Sequence, residues 1–298
     1  MSTTIRVVVV TYSPGEALSG FLASLASATK RSHEVILADN GSTDGSVEAA
    51  ALAEPTRVRV TRTGGNLGYG AAANVGAAAN DSEWLVIANP DLVFAPGSLD
   101  LLIEAADRWP DAGAFGPLIR TPDGELYPSA RELPTLGRGI GHALFGWWWP
   151  SNPWTASYRR EREAPVEGPC GWLSGSILLV RPEAWLAVDG FDRDYFMYFE
   201  DVDLGARLVR AGWRSVYVPS AVVTHAGGHS TKHNAGPMLK AHHASAMRYL
   251  SRRYTGARYA PLRAVLRIGL QAHYLLSIRF RAVTQGAAPR PAYSEKAD

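Results

Sequence analysis

Acidic side chains stand at two points where this sequence could carry out chemistry. At the first, the apolar run Trp84–Ala88 ends abruptly in Asn89, Pro90 and Asp91. Proline has no N–H to donate, so a strand ladder stops there. The carboxylate is then left at the rim of a sheet, where α/β enzymes bind their ligands. We expect Asp91 to hold a divalent cation; a plain turn is the alternative interpretation of these three residues.

The second acidic cluster consists of Glu200, Asp201 and Asp203, and it directly follows the aromatic segment 195–199. Apolar residues at helical spacing continue beyond it, so the carboxylates are expected in the first turn of a helix, where the helix dipole stabilises their charge. Capping alone could account for such a cluster. Capping does not account for the aromatic neighbours, which would desolvate a carboxylate and tune it as a general base.

Histidine offers a third candidate group. His225 ends a short predicted strand at residues 222–225. A neutral imidazole at that position could complete the coordination of a cation held by Asp91. A solvated loop histidine is the alternative.

The elements that must position these groups alternate between strands and helices. Apolar periodicity predicts strands at residues 5–10, 34–38, 58–61 and 84–88. It predicts helices at residues 16–28, 46–53 and 71–79 between them.

Loops rich in Asp, Asn or Gly follow the second, third and fourth of these strands. Asp39 opens the first such loop, and glycines at 64, 65, 68 and 70 mark the second. Because parallel strands present their carboxyl ends at one edge of a sheet, we expect these loops to form a nucleotide site. The glycine pattern alone fits a plain turn and helix start equally well.

Later elements are predicted from the same patterns. We expect a helix at 98–108, a strand at 171–180, a helix that begins near Pro182 and strands at 213–219 and 222–225. Beyond Gly236 the chain is expected to be helical.

Composition excludes several classes of protein. The chain has 298 residues and ample apolar content, which suits one large α/β domain or two small ones. Its single cysteine, Cys170, excludes an intramolecular disulfide framework and zinc held by several thiolates. The N-terminus has no signal-peptide pattern and no apolar run is long enough to cross a membrane, so we expect a cytoplasmic protein.

Charge is distributed unevenly along the chain. The formal net charge is +2, yet the segment from Gly236 to the end has 11 basic and 2 acidic residues. Such a segment could face anionic lipid, nucleic acid or solvent. The tryptophans at 147–149 and 154 suit a membrane interface, and a loop packed on its own domain is the alternative. An NAD-binding oxidoreductase is disfavoured because the glycines follow the third strand and not the first.

Five motifs together resemble family 2 inverting glycosyltransferases of the GT-A fold, in particular their rhamnosyltransferase branch. The motifs cover residues 9–12, 39–46, 66–74, 89–91 and 199–203, in the order of that family. The resemblance extends over about residues 5 to 235. It implies an α/β protein with the GT-A fold, a mixed, mostly parallel sheet flanked by helices, and a C-terminal helical extension.

The resemblance also implies a division of labour along the chain. Residues 1–95 would bind the nucleotide sugar, and residues 96–235 would bind the acceptor and carry out catalysis. Residues 236–284 would form the basic helical extension, and 285–298 a flexible tail.

Site residues follow from the same resemblance, position by position. Asp201 would be the catalytic base, with Glu200 beside it, and Asp91 and His225 would hold Mg²⁺ or Mn²⁺. The family motif is usually Asp-x-Asp, and this chain has Asn89 in the first place. Acceptor binding would involve Trp172 and Gly175. Donor binding would involve Thr11, Tyr12, Asp39, Asn66, Gly68, Tyr69, Asn74 and Asn89.

The partners implied are dTDP-β-L-rhamnose as donor and N-acetylglucosamine linked to a polyprenyl diphosphate as acceptor, in cell-wall biosynthesis. The protein would lie in the cytoplasm, peripherally on the anionic inner face of the plasma membrane, without nucleic acid and with a homo-oligomer as one option. The alternatives are a family member that uses a UDP- or GDP-linked sugar and a non-catalytic binding protein of the same fold.

Overall fold

The computed structural model of the protein describes residues 4–134, 165–227 and 235–286, with side chains in the last range from 238 to 275. The aromatic loop predicted at residues 147–154 lies outside these residues, as does most of the predicted tail.

Four parallel strands separated by three helices form the first half of the domain, in agreement with the predicted alternation. The strands are β1 (Ile5–Thr11), β2 (His33–Asp39), β3 (Val58–Arg62) and β4 (Trp84–Ala88). The helices are α1 (Ala17–Ala28), α2 (Ser46–Ala53) and α3 (Tyr69–Gly76). Every residue of β1 is buried, as expected for a strand covered on both faces.

Further strands and helices form the described part of the second half. The helices are α4 (Ser98–Arg108), α5 (Pro182–Ala187) and α6 (Glu200–Arg210). The strands are β5 (Leu92–Phe94), β6 (Ala112–Arg120), β7 (Leu126–Tyr127), β8 (Ala130–Arg131), β9 (Gly168–Cys170), β10 (Trp172–Leu173), β11 (Ile177–Val180) and β12 (Arg214–His225).

The main sheet is mixed, with the order β3-β2-β1-β4-β11-β6-β12-β5. Its longest ladders, β1–β2 and β6–β12, are parallel, whereas β11 runs antiparallel to β4 and to β6. Alternate residues of a strand point to opposite sides of the sheet, so a strand of apolar residues needs cover on both faces. Helices provide this cover. Val7 and Val9 pack with α1 and α4 on one face, and Val8 and Val10 pack with α3 and α6 on the other. The predicted α/β class with a mixed sheet is confirmed.

The single strand predicted at residues 171–180 is wrong, because the segment forms two separate strands. β10 pairs with β8 in a small second sheet, and β11 enters the main sheet. Between them, the N–H of Gly175 donates to Asp201, and the carbonyl of Gly175 accepts from the hydroxyl of Tyr69. Backbone groups committed to these side chains cannot join a ladder.

The two strands predicted at 213–219 and 222–225 are one strand, β12. Its ladder with β6 shifts register between Val218 and Val222, around Pro219. Proline has no N–H for the ladder and is tolerated at such bulges. The strand therefore continues past the proline and delivers His225 to its far end.

The described residues of the C-terminal part, 235–286, form a separate compact unit. Two helices, α7 (Ala235–Arg253) and α8 (Ala260–Gly286), are joined through a short 3₁₀ turn at Ala257–Tyr259. His243 of α7 and His273 of α8 face each other, with 2.9 Å between Nε2 and Nδ1. None of the helices among the described residues combines the length and the apolarity that a membrane span requires.

Candidate active site

Asp39, at the end of β2, lies in a nest of hydrogen-bond donors. It is 1% exposed. Its Oδ1 accepts hydrogen bonds from the hydroxyl of Thr11 at 3.1 Å and from the backbone N–H of Ser42 at 3.0 Å. Its Oδ2 accepts from Arg62 at 2.7 Å. These hydrogen bonds offset the cost of burying the carboxyl group and fix the position of Asp39 at the sheet edge.

Arg62 was missed by the sequence reasoning. It ends β3 directly beside Asp39 in the parallel register, and it also pairs with Glu48 of α2. The sequence shows an arginine at the end of a predicted strand, but the pairing of β2 with β3 is needed to place it against Asp39. It bridges a buried carboxylate and an exposed one across three elements.

Asn40 organises the glycine-containing loop that precedes α3. Its side chain donates to the carbonyl of Gly68 at 3.1 Å and accepts from the N–H of Leu67 at 3.2 Å. Gly68 has φ of 86°, and a Cβ there would lie 2.1 Å from the carbonyl oxygen of Phe196. The glycine is therefore required by close approach of the segment that leads to Glu200. Asn40 also had no predicted role, although it directly follows Asp39.

Asp91 and His225 come together at the opposite part of the sheet edge. The end of β12 pairs antiparallel with β5, and this register places His225 opposite Leu92. Nε2 of His225 lies 3.0 Å from Oδ1 of Asp91 and 3.3 Å from the amide nitrogen of Asn89. Burial alone would raise the pKa of Asp91, but the hydrogen bond from His225 and the charge of that ring outweigh burial and hold this pKa below its ordinary value.

Asp91 and His225 could hold a divalent cation whose remaining coordination positions are filled by a bound substrate and water. No cluster of three or more His, Cys, Asp or Glu side chains with the geometry of a metal site occurs in the described part of the chain. Mg²⁺ typically takes one or two protein carboxylates, keeps several waters and binds substrate phosphates. Asp91 and His225 supply two donors at partly exposed positions, so a diphosphate and water can supply the rest.

The carboxylates of α6 are presented by a distorted backbone. Tyr198 and Phe199 both have positive φ, 67° and 66°, immediately before Glu200. Left-handed conformations of residues other than glycine cost on the order of 1–3 kcal/mol each and concentrate at functional sites. The distortion turns the chain so that Glu200 and Asp201 begin the helix at its positive dipole end.

Glu200 and Asp201 share a site that disfavours two charges. Glu200 is 7% exposed, and its Oε2 has no hydrogen-bond partner. Burial, followed by the charge of Asp201, raises the pKa of Glu200 to about 8. Burial also raises the pKa of Asp201, although hydrogen bonds from the amides of Gly175 and Val202 and the charge of Arg131 oppose it. At neutral pH the protonated form of Glu200 is therefore favoured.

Tyr69 and Gly175 connect the glycine loop to this pair. The hydroxyl of Tyr69 donates to the carbonyl of Gly175 at 2.5 Å, and the N–H of Gly175 donates to Oδ2 of Asp201 at 3.0 Å. Burial, then the charges of Glu200 and Asp201, raise the pKa of Tyr69 well above its ordinary value, so the hydroxyl stays protonated.

Trp172 lies on the strand just before this connection. Its indole N–H donates to the carbonyl of Glu132 at 3.1 Å, and the guanidinium of Arg131 lies over its ring. Arg131 is another residue that the sequence reasoning missed. It pairs with Trp172 between β8 and β10, so only the sheet register brings it near Asp201.

Asn74 is placed differently from the other predicted donor residues. Its side-chain amide donates to the carbonyl of Phe191 at 2.7 Å and accepts from the N–H of Phe191 at 2.9 Å. It also lines a cavity of about 260 Å³ between the end of α3 and α5, and none of Asp39, Asp91 or Asp201 lines that cavity. Donor binding by Asn74 stays a prediction, as it does for Tyr12, which is exposed, and for Asn66, whose side chain accepts from the N–H of Gly68.

Comparison with known proteins is decisive about the family. The model for "Glycosyl transferase family 2" matches residues 6–174, more than half of the chain, and "Glycosyltransferase like family 2" matches residues 166–243. The chain belongs to glycosyl transferase family 2. The family membership predicted from the five motifs is confirmed.

Two curated relatives carry names that describe an activity. N-acetylglucosaminyl-diphospho-decaprenol L-rhamnosyltransferase of Mycobacterium tuberculosis (strain ATCC 25618 / H37Rv) is 53% identical over 294 residues, which is 94% of this chain and 95% of the relative. Rhamnosyltransferase WbbL of Escherichia coli (strain K12) is 30% identical over 174 residues, 58% of this chain and 63% of the relative.

Solved structures with the same fold are more distant in sequence. Staphylococcus aureus TarS 1–349 in complex with UDP has a TM-score of 0.55 at 15% identity, over 84% of this chain and 66% of that chain. GalNAc-T7 with UDP, GalNAc and Mn²⁺ has a TM-score of 0.56 at 16% identity, over 74% of this chain and 43% of that chain. At such identities the likeness establishes the fold alone.

Proposed function

We propose that this family 2 member is an inverting rhamnosyltransferase. It transfers L-rhamnose from dTDP-β-L-rhamnose to an N-acetylglucosamine that is linked to a polyprenyl diphosphate, in the synthesis of a cell-wall linker. The observation that carries the proposal is the 53% identity to the mycobacterial enzyme over nearly the full length of both chains. The arrangement around Asp201 supports it from the side of chemistry.

Asp201 is the proposed general base. An inverting transfer needs one group that removes the proton of the acceptor hydroxyl as its oxygen attacks the anomeric carbon. Asp201 retains some exposure, whereas Glu200 beside it is buried and protonated. The raised pKa of Asp201 strengthens it as a base. One displacement at the anomeric carbon converts a β-linked donor into an α-rhamnoside.

The donor is proposed to lie along the carboxyl ends of β1 to β4. Thr11 and Asp39 would contact the nucleoside, because their side chains share one hydrogen-bonded nest at that edge. Asn66 and Gly68 would follow the ribose and diphosphate. Holding donor and acceptor together contributes several kcal/mol, on the order of 7–11 in well-oriented cases.

Mg²⁺ or Mn²⁺ is proposed as the cofactor, held by Asp91 and His225. When bound, the ion would act as a Lewis acid that neutralises charge on the leaving diphosphate. Asn89 contributes an amide in place of a carboxylate, so Asp91 is the acidic ligand of the motif. Its pKa, held low by His225, keeps it ionised at neutral pH.

A donor screen with purified protein tests the proposal. The acceptor is polyprenyl-diphosphate-N-acetylglucosamine, and dTDP-rhamnose is compared with UDP- and GDP-linked sugars. We expect transfer from dTDP-rhamnose and none to a polyprenyl diphosphate that lacks the sugar. Transfer from a UDP- or GDP-sugar in place of dTDP-rhamnose would contradict the proposed donor. Donor binding without transfer to any acceptor would favour a binding protein.

Peripheral attachment to an anionic membrane is part of the same proposal. A lipid-linked acceptor requires the protein to work at the membrane surface, and the basic segment from Gly236 suits anionic lipid. The protein should float with vesicles of anionic lipid at low salt and be released at high salt. Absence of binding at low salt would refute attachment.

A further inference from the structure

Tyr69 begins α3 directly after the glycine-containing loop, yet its polar groups are turned away from that loop. Its backbone N–H donates to the carbonyl of Phe196 at 3.0 Å, and its ring lies edge-on to Phe191. Its hydroxyl donates to the carbonyl of Gly175, a residue 106 positions later in the chain. A phenol has a single proton to donate, so this proton is committed to Gly175 and not to a diphosphate.

Gly175 passes this constraint to Asp201. Its N–H is 3.0 Å from Oδ2 of Asp201. A Cβ at position 175 would lie 3.2 Å from the Cβ of Asp201, so a larger residue there would crowd Asp201. The Asp201 carboxylate therefore rests against a short segment of backbone that the hydroxyl of Tyr69 holds from the other side.

We propose that Tyr69 is a positioning residue for Asp201, acting through Gly175, and is not a ligand of the sugar donor. The inference rests on the proposed function, in which Asp201 is the base. The ring of Tyr69 packs at the end of the glycine-containing loop. Its hydroxyl holds the backbone of Gly175, which orients Asp201. The start of α3 therefore connects the glycine-containing loop to the carboxylate of Asp201.

The Tyr69→Phe variant tests this role, because it keeps the ring against Phe191 and removes the hydroxyl alone. We expect kcat to fall by about 10-fold or more, while the KM for dTDP-rhamnose and the Kd for dTDP change by less than about 2-fold. The melting temperature should stay within about 3 °C of the parent. Tyr217→Phe is the matched control, since the hydroxyl of Tyr217 bonds to Ser129 instead.

A second measurement does not depend on the substrate. The carboxyl of Asp201 can be titrated by ¹³C NMR and assigned through its loss in Asp201→Asn. A hydrogen bond to a carboxylate lowers its pKa, so a looser Gly175 amide in Tyr69→Phe should raise the pKa of Asp201 by about half a unit or more.

Each outcome decides the question. An unchanged Asp201 titration, or a KM and Kd for the donor that rise while kcat does not change, would overturn the positioning role. If the parent fails to transfer rhamnose, the proposed function fails, but a shifted Asp201 titration would still support the link through Gly175.

Discussion

Asp39 and Glu200 are two buried carboxyl groups that the fold treats in opposite ways. Asp39 lies in the first half of the domain, and both of its oxygens accept hydrogen bonds from Thr11, Ser42 and Arg62. Glu200 lies in the second half, where its Oε2 has no partner and Asp201 adds a second negative group. The first half surrounds a buried carboxyl group with hydrogen-bond donors, whereas the second half favours the protonated form of one.

The difference separates an anchor from a reactive site. A buried carboxylate such as Asp39, whose two oxygens both accept hydrogen bonds, is costly to disturb. Burial raises the pKa of both Glu200 and Asp201, and a raised pKa strengthens a carboxylate as a base. Substitution of Asp39 should therefore affect stability and binding, and substitution of Asp201 should affect turnover.

Asp201→Asn should have the largest effect. The amide keeps the shape of the side chain but cannot accept a proton, so transfer should fall by about 10²- to 10⁴-fold with little change in melting temperature. Steady-state kinetics and a thermal melt measure both quantities. Asp123→Asn, in an exposed turn, is the control. Activity within a few-fold of the parent would remove Asp201 from the role of base.

Asp91→Ala should rank second. Loss of the acidic ligand should weaken metal affinity by at least about 10- to 100-fold, a range that even outer-shell partners reach. The measurement is activity as a function of Mg²⁺ or Mn²⁺ after treatment with chelator, with His225→Ala as a companion variant. Full activity of the parent in excess chelator would contradict metal dependence.

Asp39→Asn should reduce stability more than it reduces turnover. It leaves Arg62 without its buried partner, so we expect a loss of about 1–3 kcal/mol in the free energy of unfolding, together with weaker binding of dTDP. Urea denaturation and calorimetric titration measure the two. Glu48→Gln is the matched control, because it breaks the exposed end of the same arginine bridge and should leave stability unchanged. A fall in kcat with normal stability and binding would reverse the comparison.

Glu200→Gln should reveal the stored proton. The pKa of Glu200 is raised from its ordinary value to about 8, so the folded state holds a proton that the unfolded chain releases. Its contribution to stability is complete below the ordinary pKa and is lost as pH rises through the folded value. The glutamine variant lacks this loss. Its free energy of unfolding relative to the parent should therefore rise by about 1.4 kcal/mol per pH unit between pH 6 and 8, measured by urea denaturation. A difference that is flat across this range would show that Glu200 is already ionised.

Local patterns were sufficient to predict much of the first half. α1, β1, β2 and β4 were predicted within one residue of their observed bounds, because each is a continuous apolar run or a clear helical repeat. Asp39 and Asp91 could be singled out because each directly follows such a run. In the first half, the predicted site residues lie at the ends of strands, where a local pattern can identify them.

The features that the sequence did not predict depend on contacts that no local pattern contains. Tyr69 meets Gly175 across 106 residues, and that contact splits the segment predicted as one strand. Arg62 becomes a partner of Asp39 only through the register of β2 and β3. The shift around Pro219 depends on the neighbouring strand β6, so a proline that locally predicts the end of a strand lies inside one.

The left-handed backbone at Tyr198 and Phe199 has a consequence for anyone who evolves this enzyme in the laboratory. A selection for heat resistance should favour glycine or asparagine at these two positions, because either residue relieves an unfavourable φ. The same replacements would slacken the turn that aims Glu200 and Asp201. Thermostable variants selected from such a library should often have a reduced kcat. A screen that also measures turnover should retain Tyr198 and Phe199.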